Sequence, residues 1–316
     1  MHEVPIQGAR FLVTGGSGFV GSHVVDELVS AGADEVVVFD KVIRDENLEQ
    51  ARASGSVRTV EGDVTDRGAL AQAAAGVDGV FHLAVLPIGP CEADPRLCLD
   101  VNVVGTFNVI DAAREAVAKK IVFSSASSVY GDTNETMDES HPLDARSMYG
   151  ASKIAGEYFL RAFREIHGLD YVALRYMNVY GPRQEGGLIV SVLRRIESGE
   201  PPVIQGDGSQ SFDFVHVADV ARLNVAAMAS NVSGEAFNVG SGGEASVKEI
   251  VDKLIELTGA ELEPEYDREA KVLMARRVGS NERAVKELDW RPALDLETGL
   301  TEVIAFERSR AGTARA

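Results

Sequence analysis

The sequence predicts an α/β fold, a doubly wound parallel sheet joined to a smaller C-terminal α/β lobe. Three observations predict it. Short apolar runs alternate with helix-periodic segments through the first 180 residues. Those runs are apolar throughout rather than at every second residue, as strands covered on both faces require. A glycine-rich turn, Gly15-Gly16-Ser17-Gly18-Phe19-Val20-Gly21, follows the first run directly.

Residues 10–14 read as the first strand and 20–31 as the helix after the turn, with Gly32 placed to end it. Residues 35–40 form the second strand, with Val36, Val37, Val38 and Phe39 in one run, and 57–60 the third. An Ala-rich helix over 69–75 precedes the fourth strand, 80–84. A helix around 101–117 leads to the fifth, 120–125; 149–167 is helical and 171–176 is the sixth strand. After Gly181 the pattern loosens, punctuated by Pro182, Gly186, Gly187, Pro201, Pro202 and Gly206-Asp207-Gly208. There 188–198 reads as helix, 212–217 as strand, 219–229 as helix, 236–239 as strand and 246–258 as a helix capped by Ser246. The expected division is a first domain over 1–180, with segments near 212–240 returning to it, and a second lobe over 181–316. The tail 308–316 is small and polar and is expected to fray.

Charge and composition exclude several classes. The 31 Lys and Arg against 49 Asp and Glu leave a net charge of −18, the wrong sign for a nucleic-acid binder. An anionic small substrate stays open, because a few local donors overrule a global field. No apolar run reaches the roughly 20 residues of a membrane-spanning helix. The start, with His2, Glu3 and Pro5, lacks the basic and apolar pattern of a signal peptide. Cys91 and Cys98 are too few for a disulfide framework and suit a reducing cytoplasm. The histidines have no metal-ligand spacing, so no metal is expected.

Two motifs carry the chemistry. In the G-x-x-G-x-x-G turn, Gly15 lets the chain turn sharply, Gly18 lets backbone approach a pyrophosphate, and Gly21 lets the helix pack closely. Asp40 ends the next strand, where a carboxylate accepts from ribose hydroxyls and repels a 2′-phosphate, so NAD is favoured over NADP. Asp63 and Val64 follow the third strand, where Asp63 reaches an adenine or merely caps a turn. Tyr149 and Lys153 are four residues apart and share one helix face. A free phenol has a pKa of about 10, so a base near neutrality must lose about three units, and a neighbouring ammonium favours the phenolate.

With these residues the chain resembles the extended short-chain dehydrogenase/reductase family, in its NAD-dependent nucleotide-sugar epimerase/dehydratase branch. The match runs over nearly the whole chain. It comprises Thr14 to His23, Asp40, Gly62-Asp63-Val64, His82-Leu83-Ala84, Asn102-Val103-Val104-Gly105-Thr106, Val129-Tyr130-Gly131, Tyr149-Gly150-Ala151-Ser152-Lys153 and Arg175 to Gln184. Gly206-Asp207-Gly208 and Val215 to Ala221 extend it. The resemblance implies a Rossmann domain and a bound NAD contacted by Gly15, Gly18, Phe19, Val20, Asp40, Asp63 and Val64. It adds Leu83, Ala84, Asn102, Ser124, Tyr149, Lys153 and Tyr176 to that cofactor site. It implies that Tyr149 takes a proton from a sugar hydroxyl, usually at C4, while a hydride leaves to NAD and returns to the other face. A UDP-sugar would then meet Ser127, Ser128, Asn178, Gln184, Leu188, Gln205, Phe212 and Arg276.

Three departures bear on the reaction. The family's Ser or Thr three residues before Val129-Tyr130-Gly131 is Ala126 here, leaving Ser125 and Ser127 as candidate replacements for its hydroxyl. The family's diphosphate-binding Arg aligns with Phe212, so Arg276 or Arg277 is the candidate for that charge. The loop Val85-Leu86-Pro87-Ile88-Gly89-Pro90 is apolar where many members are polar. Dehydratases and decarboxylases of the family carry an extra acid where this chain has Ser127 and Ser128, which favours epimerisation of a UDP-hexose. Glu185 stands where uronate-epimerising relatives use an Arg, which favours a neutral hexose. Another nucleotide-sugar modification, or a weakly catalytic NAD-binding regulatory protein, is the alternative. His82, His216 and Trp290 read as structural. The apolar stripe Ile154, Ala155, Tyr158, Phe159, Phe163 and Ile166 exceeds what one sheet face needs, and the family's habit makes a homodimer the expectation.

Overall fold

The computed structural model describes residues 3–270, 272 and 274–313. Seven strands form one parallel sheet: β1 (Arg10–Thr14), β2 (Glu35–Asp40), β3 (Val57–Glu61), β4 (Gly79–His82), β5 (Lys120–Ala126), β6 (Asp170–Tyr176) and β7 (Glu235–Val239). Their spatial order is β7-β6-β5-β4-β1-β2-β3. The chain runs outward from β1 to β3, then crosses to β4 on the other side of β1. Ligands bind in such sheets at the carboxyl ends beside this reversal.

The apolar runs are buried because helices cover both faces. Val24, Val25 and Leu28 of α1 (Phe19–Ser30) pack with Val220, Leu223 and Ala227 of a later helix, 217–229, on one face. The other face takes Leu70 of α2 (Arg67–Ala73), Val109 and Ile110 of α3 (Thr106–Glu115), and Leu160 and Phe163 of α4 (Met148–His167). A third core joins α5 (Leu188–Glu197), α7 (Val247–Thr258) and α8 (Leu296–Thr313), with α6 (Val217–Ala229) left to the sheet. Buried Lys120 opens β5 and donates to the carbonyls of Ala227, Met228 and Ser230, so its ammonium caps the C-terminus of α6. Ser246 and Glu249 form a reciprocal capping box on α7, as the sequence predicts for Ser246.

Several expectations are corrected. The helix around 101–117 begins as a π-helical stretch, Leu99–Gly105, before α3. The strand 212–217 is two pieces: Ser211–Phe212 pairs with Arg276–Arg277, and Phe214–His216 pairs with Asn178–Tyr180. Asp213 divides them, because its buried carboxylate accepts from Ser241 N and Oγ and from Gly242 N. The tail is helical through Thr313; 314–316 lie outside the described residues, as do Met1 and His2. Cys91 and Cys98 are joined as a disulfide, against the reading of two thiols in a reducing compartment. The short helices Ile88–Ala93 and Pro95–Cys98 meet at Asp94 and fold the two sulfurs together. Trp290 is buried on the α1 and α6 side of the sheet, its indole N–H donating to the Asp219 carbonyl at 3.0 Å. Among the described residues no helix is long and apolar enough to cross a membrane, and no cluster of side chains has the makings of a metal site.

Candidate active site

The glycine turn lies at the carboxyl edge of the sheet because β1 ends there. A Cβ on Gly15 would stand 2.7 Å from Ala84 N, and one on Gly21 would stand 2.1 Å from Gly15 O. Both positions therefore need glycine, and the N-terminus of α1 closes tightly over the turn. A cavity of about 500 Å³ opens in front of it. Gly15, Gly18, Phe19 and Val20 line one end with Asp40, Asp63 and Val64; Leu83, Ala84, Ser124, Tyr149 and Tyr176 line the other. A second cavity of about 500 Å³ adjoins it, lined by Ala126, Ser127, Ser128, Asn178, Leu188, Phe214 and Arg277 among others. Tyr149, Tyr176, Ser125 and Gln184 border both.

Asp40 Oδ2 accepts from Ser17 N at 3.1 Å and Ser17 Oγ at 2.8 Å, so the carboxylate is oriented by the glycine turn itself. Asp63 accepts from Thr65 N and Oγ1 through Oδ1 and pairs with Lys41 at 2.9 Å through Oδ2. Its capping role and its place on the cavity wall thus coexist. Asn102 does not border the cavity. It accepts from Leu86 N at 2.7 Å and donates to Leu86 O at 3.0 Å, anchoring the apolar loop that does, and its amide also touches both sulfurs of the cystine.

Lys153 lies behind the wall, one turn from Tyr149, and its Nζ donates to the Ser124 carbonyl at 2.6 Å. The ammonium is 5.5 Å from the Tyr149 ring centre. Burial pulls the Lys153 pKa down to about 7, against the opposing pull of Glu157. Burial also pushes the Tyr149 phenol up to about 12. Burial thus shifts both groups toward their neutral forms; a positive charge beside Tyr149 is what a phenolate would require. His82 is structural, as expected: its ring nitrogens bond Thr14 Oγ1 at 2.7 Å and Thr106 Oγ1 at 2.9 Å.

The serine cluster divides in two. Ser124 Oγ donates to His82 O at 3.0 Å, and Ser125 Oγ donates to Glu157 Oε1 at 2.5 Å. Ser125 is thus held away from the hydroxyl role that Ala126 leaves vacant. Ser127 and Ser128 line the second cavity, and the buried Ser128 Oγ has no partner among the described residues.

Of the other substrate candidates, Asn178, Gln184 and Leu188 line the second cavity, and Gln205, Phe212 and Arg276 do not. Gln205 accepts from Gln210 through its carbonyl at 2.6 Å. Phe212 stacks edge-on against Phe214 at 6.1 Å. Arg276 is spent on Glu244, the Asn134 carbonyl and Thr136. Arg277 takes its place on the cavity wall, with Nε buried and without a partner among the described residues, and Nη2 donating to Gly131 O at 3.4 Å. Glu185 borders only the first cavity and pairs with Arg44 at 3.1 Å, so the repulsion expected against a sugar carboxylate has no basis.

This donor set fits NAD: a turn that only glycine can form, the start of a helix for a pyrophosphate, and an oriented carboxylate that pairs with no cation among the described residues, for a ribose.

The model of the NAD dependent epimerase/dehydratase family matches residues 11–240. The UDP-glucose 4-epimerase of Mycolicibacterium smegmatis is 36% identical over 316 residues, covering 95% of this chain and 99% of that protein. A dTDP-glucose 4,6-dehydratase of Actinoplanes is 32% identical over 323 residues, covering 95% and 98%. A solved UDP-N-acetylglucosamine 4-epimerase from Methanobrevibacter ruminantium superposes with a TM-score of 0.91 at 30% identity, covering 96% of this chain and 99% of that one. With a family model over most of its length and relatives aligned end to end, the chain belongs to the NAD-dependent epimerase/dehydratase family of nucleotide-sugar enzymes.

Proposed function

We propose that the protein epimerises a nucleotide-activated hexose, at C4 of a UDP-sugar. One observation carries the choice of reaction. Among the described residues no Asp, Glu, His or Lys borders the second cavity; its ionisable groups there are Arg277 and tyrosines. Elimination and decarboxylation need a further acid or base beside the sugar, whereas epimerisation needs only the phenol.

In this reading Gly15, Gly18, Phe19, Val20, Asp40, Asp63 and Val64 hold the adenosine and pyrophosphate of NAD, and Leu83, Ala84, Ser124 and Tyr176 border its nicotinamide end. When bound, NAD supplies the acceptor and donor of a hydride. Tyr149, on the border of both cavities, takes the proton of the sugar 4-hydroxyl and later returns it. Lys153 stabilises the phenolate by its charge. Ser128 has a hydroxyl free to bond the reacting oxygen. Arg277, whose Nε has no partner among the described residues, offers its guanidinium to the diphosphate. Val85, Pro87 and Ile88 exclude water from the sugar side.

With Glu185 turned to Arg44, a uronate is a second candidate sugar, since Ser127, Ser128 and Arg277 are all donors. The exposed side chains of Val104, Phe107, Tyr158 and Ile166 support the homodimer reading. The deciding experiment incubates the protein with UDP-glucose, UDP-N-acetylglucosamine and UDP-glucuronate and resolves the products chromatographically. A 4-epimer from any of them supports the reading. A 4-keto-6-deoxy or decarboxylated product, or no turnover of the whole panel, defeats it.

A further inference from the structure

An ion pair lies buried behind the site, and the proposed chemistry does not use it. Glu157 and Arg175 have side chains only 9% and 7% exposed. Arg175 Nε donates to Glu157 Oε1 at 3.0 Å and its Nη2 to Oε2 at 2.7 Å. Its Nη1 donates to Tyr130 OH at 2.8 Å, and that hydroxyl donates to Asn238 Oδ1 at 2.7 Å. Burying such a pair is a weak way to stabilise a fold, because desolvation consumes the Coulomb gain. What distinguishes this pair is its third partner. Glu157 Oε1 also accepts from Ser125 Oγ at 2.5 Å.

Ser125 adjoins Ser124, whose carbonyl receives the Lys153 ammonium. Glu157 is also four residues beyond Lys153 on α4, hence on the same face. We propose that Glu157 is a positioning residue for Lys153. Through Ser125 it fixes the end of β5 whose carbonyl holds the ammonium, and its carboxylate opposes that ammonium along α4. The inference rests on the proposed function for its kinetic arm only.

The charged and titratable surroundings support this assignment. Lys153 faces Tyr149 and Glu157 on its own helix and His82 from β4, and burial leaves that imidazole neutral. Glu157 faces Arg175 and Tyr171 of β6 and Tyr130 of the turn after β5. Glu157 is therefore the one anion acting on Lys153 among these groups. Taking its charge away lowers the proton affinity of an ammonium that burial has already weakened.

The test uses the protein as isolated, carrying its own dinucleotide and labelled with 13Cε-lysine; the Lys153 resonance is identified by its loss in Lys153→Arg. In Glu157→Gln the Lys153 titration midpoint falls by at least about one unit. In Ser125→Ala, which leaves the Glu157–Arg175 pair whole, the midpoint stays where it was, while kcat falls about tenfold or more at little cost in KM. Ser125→Thr restores the hydroxyl and with it kcat. If Glu157→Gln does not fold, Glu157→Asp decides: the charge is kept and the reach to Ser125 is shortened, so the midpoint holds and kcat falls. An unmoved midpoint in Glu157→Gln overturns the electrostatic role. An unchanged kcat in Ser125→Ala, or a loss that Ser125→Thr does not repair, overturns the positioning role. If no nucleotide sugar is turned over, the proposed function fails, and the titration still decides whether Glu157 acts on Lys153.

Discussion

Arg276 and Arg277 are adjacent in one two-residue strand and serve opposite sides of it. Side chains alternate across a strand, so Arg276 meets Glu244 at 2.8 Å on one side, and Arg277 turns to the cavity on the other with a buried, unpartnered Nε.

This alternation makes a prediction about substrate affinity. A hydrogen bond to a charged group contributes about 1.5–3 kcal/mol, and Arg277 has several donors to offer. Arg277→Ala should raise the KM for the UDP-sugar by about 10- to 100-fold with a smaller change in kcat. Arg276→Ala should leave KM nearly unchanged, since its partners, Glu244, the Asn134 carbonyl and Thr136, do not border the second cavity. Steady-state kinetics on the two variants decide; the reverse pattern would give the diphosphate to Arg276.

Tyr149→Phe removes the phenol and nothing else from the junction of the two cavities. The rate should fall at least about 10²-fold, the lower range for general base catalysis. The bound dinucleotide should remain and, released by denaturation, should assay as NAD rather than NADP, because the Asp40 carboxylate, held by Ser17, borders the first cavity and would repel a 2′-phosphate. Near-normal turnover in Tyr149→Phe would remove this residue from the mechanism.

Most of the fold and the cofactor side was legible because both follow from strand ends. Once β1, β2, β3, β4 and β5 are read from apolar runs, the residues near their carboxyl ends must gather at one edge of a parallel sheet. Gly15, Asp40, Asp63, Ala84 and Ser124 all do so. The substrate side depends on features with no sequence period. The resemblance implies Gln205 and Phe212 and leaves Arg276 or Arg277 for the phosphate charge, yet in strands two or three residues long a one-place shift reverses the face. Ser125 is a candidate for the missing hydroxyl in the sequence because its acceptor, Glu157, lies 32 residues further on. In the sequence Glu185 stands against a sugar carboxylate because its partner, Arg44, lies 141 residues before it. The cystine escaped because its closure depends on the turn at Asp94, not on the number of cysteines.

The cystine has its own consequence. Alkylation of the denatured protein before reduction should label neither cysteine, and alkylation after reduction should label both, read by mass. Closing a loop of eight residues restricts the unfolded chain by about 2.5 kcal/mol on the loop-entropy scale. The double variant Cys91→Ala/Cys98→Ala should therefore unfold at lower urea by about that amount. Two alkylated thiols without reductant would show that the pair is reduced in the isolated protein.

Asp213 predicts a pH dependence of stability. Its carboxyl is fully buried between the two strand pieces it separates, and burial raises its pKa to about 6 although Ser241 and Gly242 donate to it. The unfolded chain has the ordinary value of 3.8. The sign follows from proton counting. Between about 4 and 6 the folded protein binds the proton and the unfolded chain does not, so stability falls as pH rises through that window. The contribution is complete below the unfolded value and is lost above the folded one. At about 1.4 kcal/mol per unit, the full loss is about 3 kcal/mol. Asp213→Asn has no such titration. Urea unfolding of both proteins at pH 4 and pH 7 should show the wild type losing stability relative to the variant by up to this amount. A difference that stays flat, or one that grows in favour of the wild type as pH rises, would mean that Asp213 is an ordinary ionised cap whose bonds to Ser241 outweigh its burial.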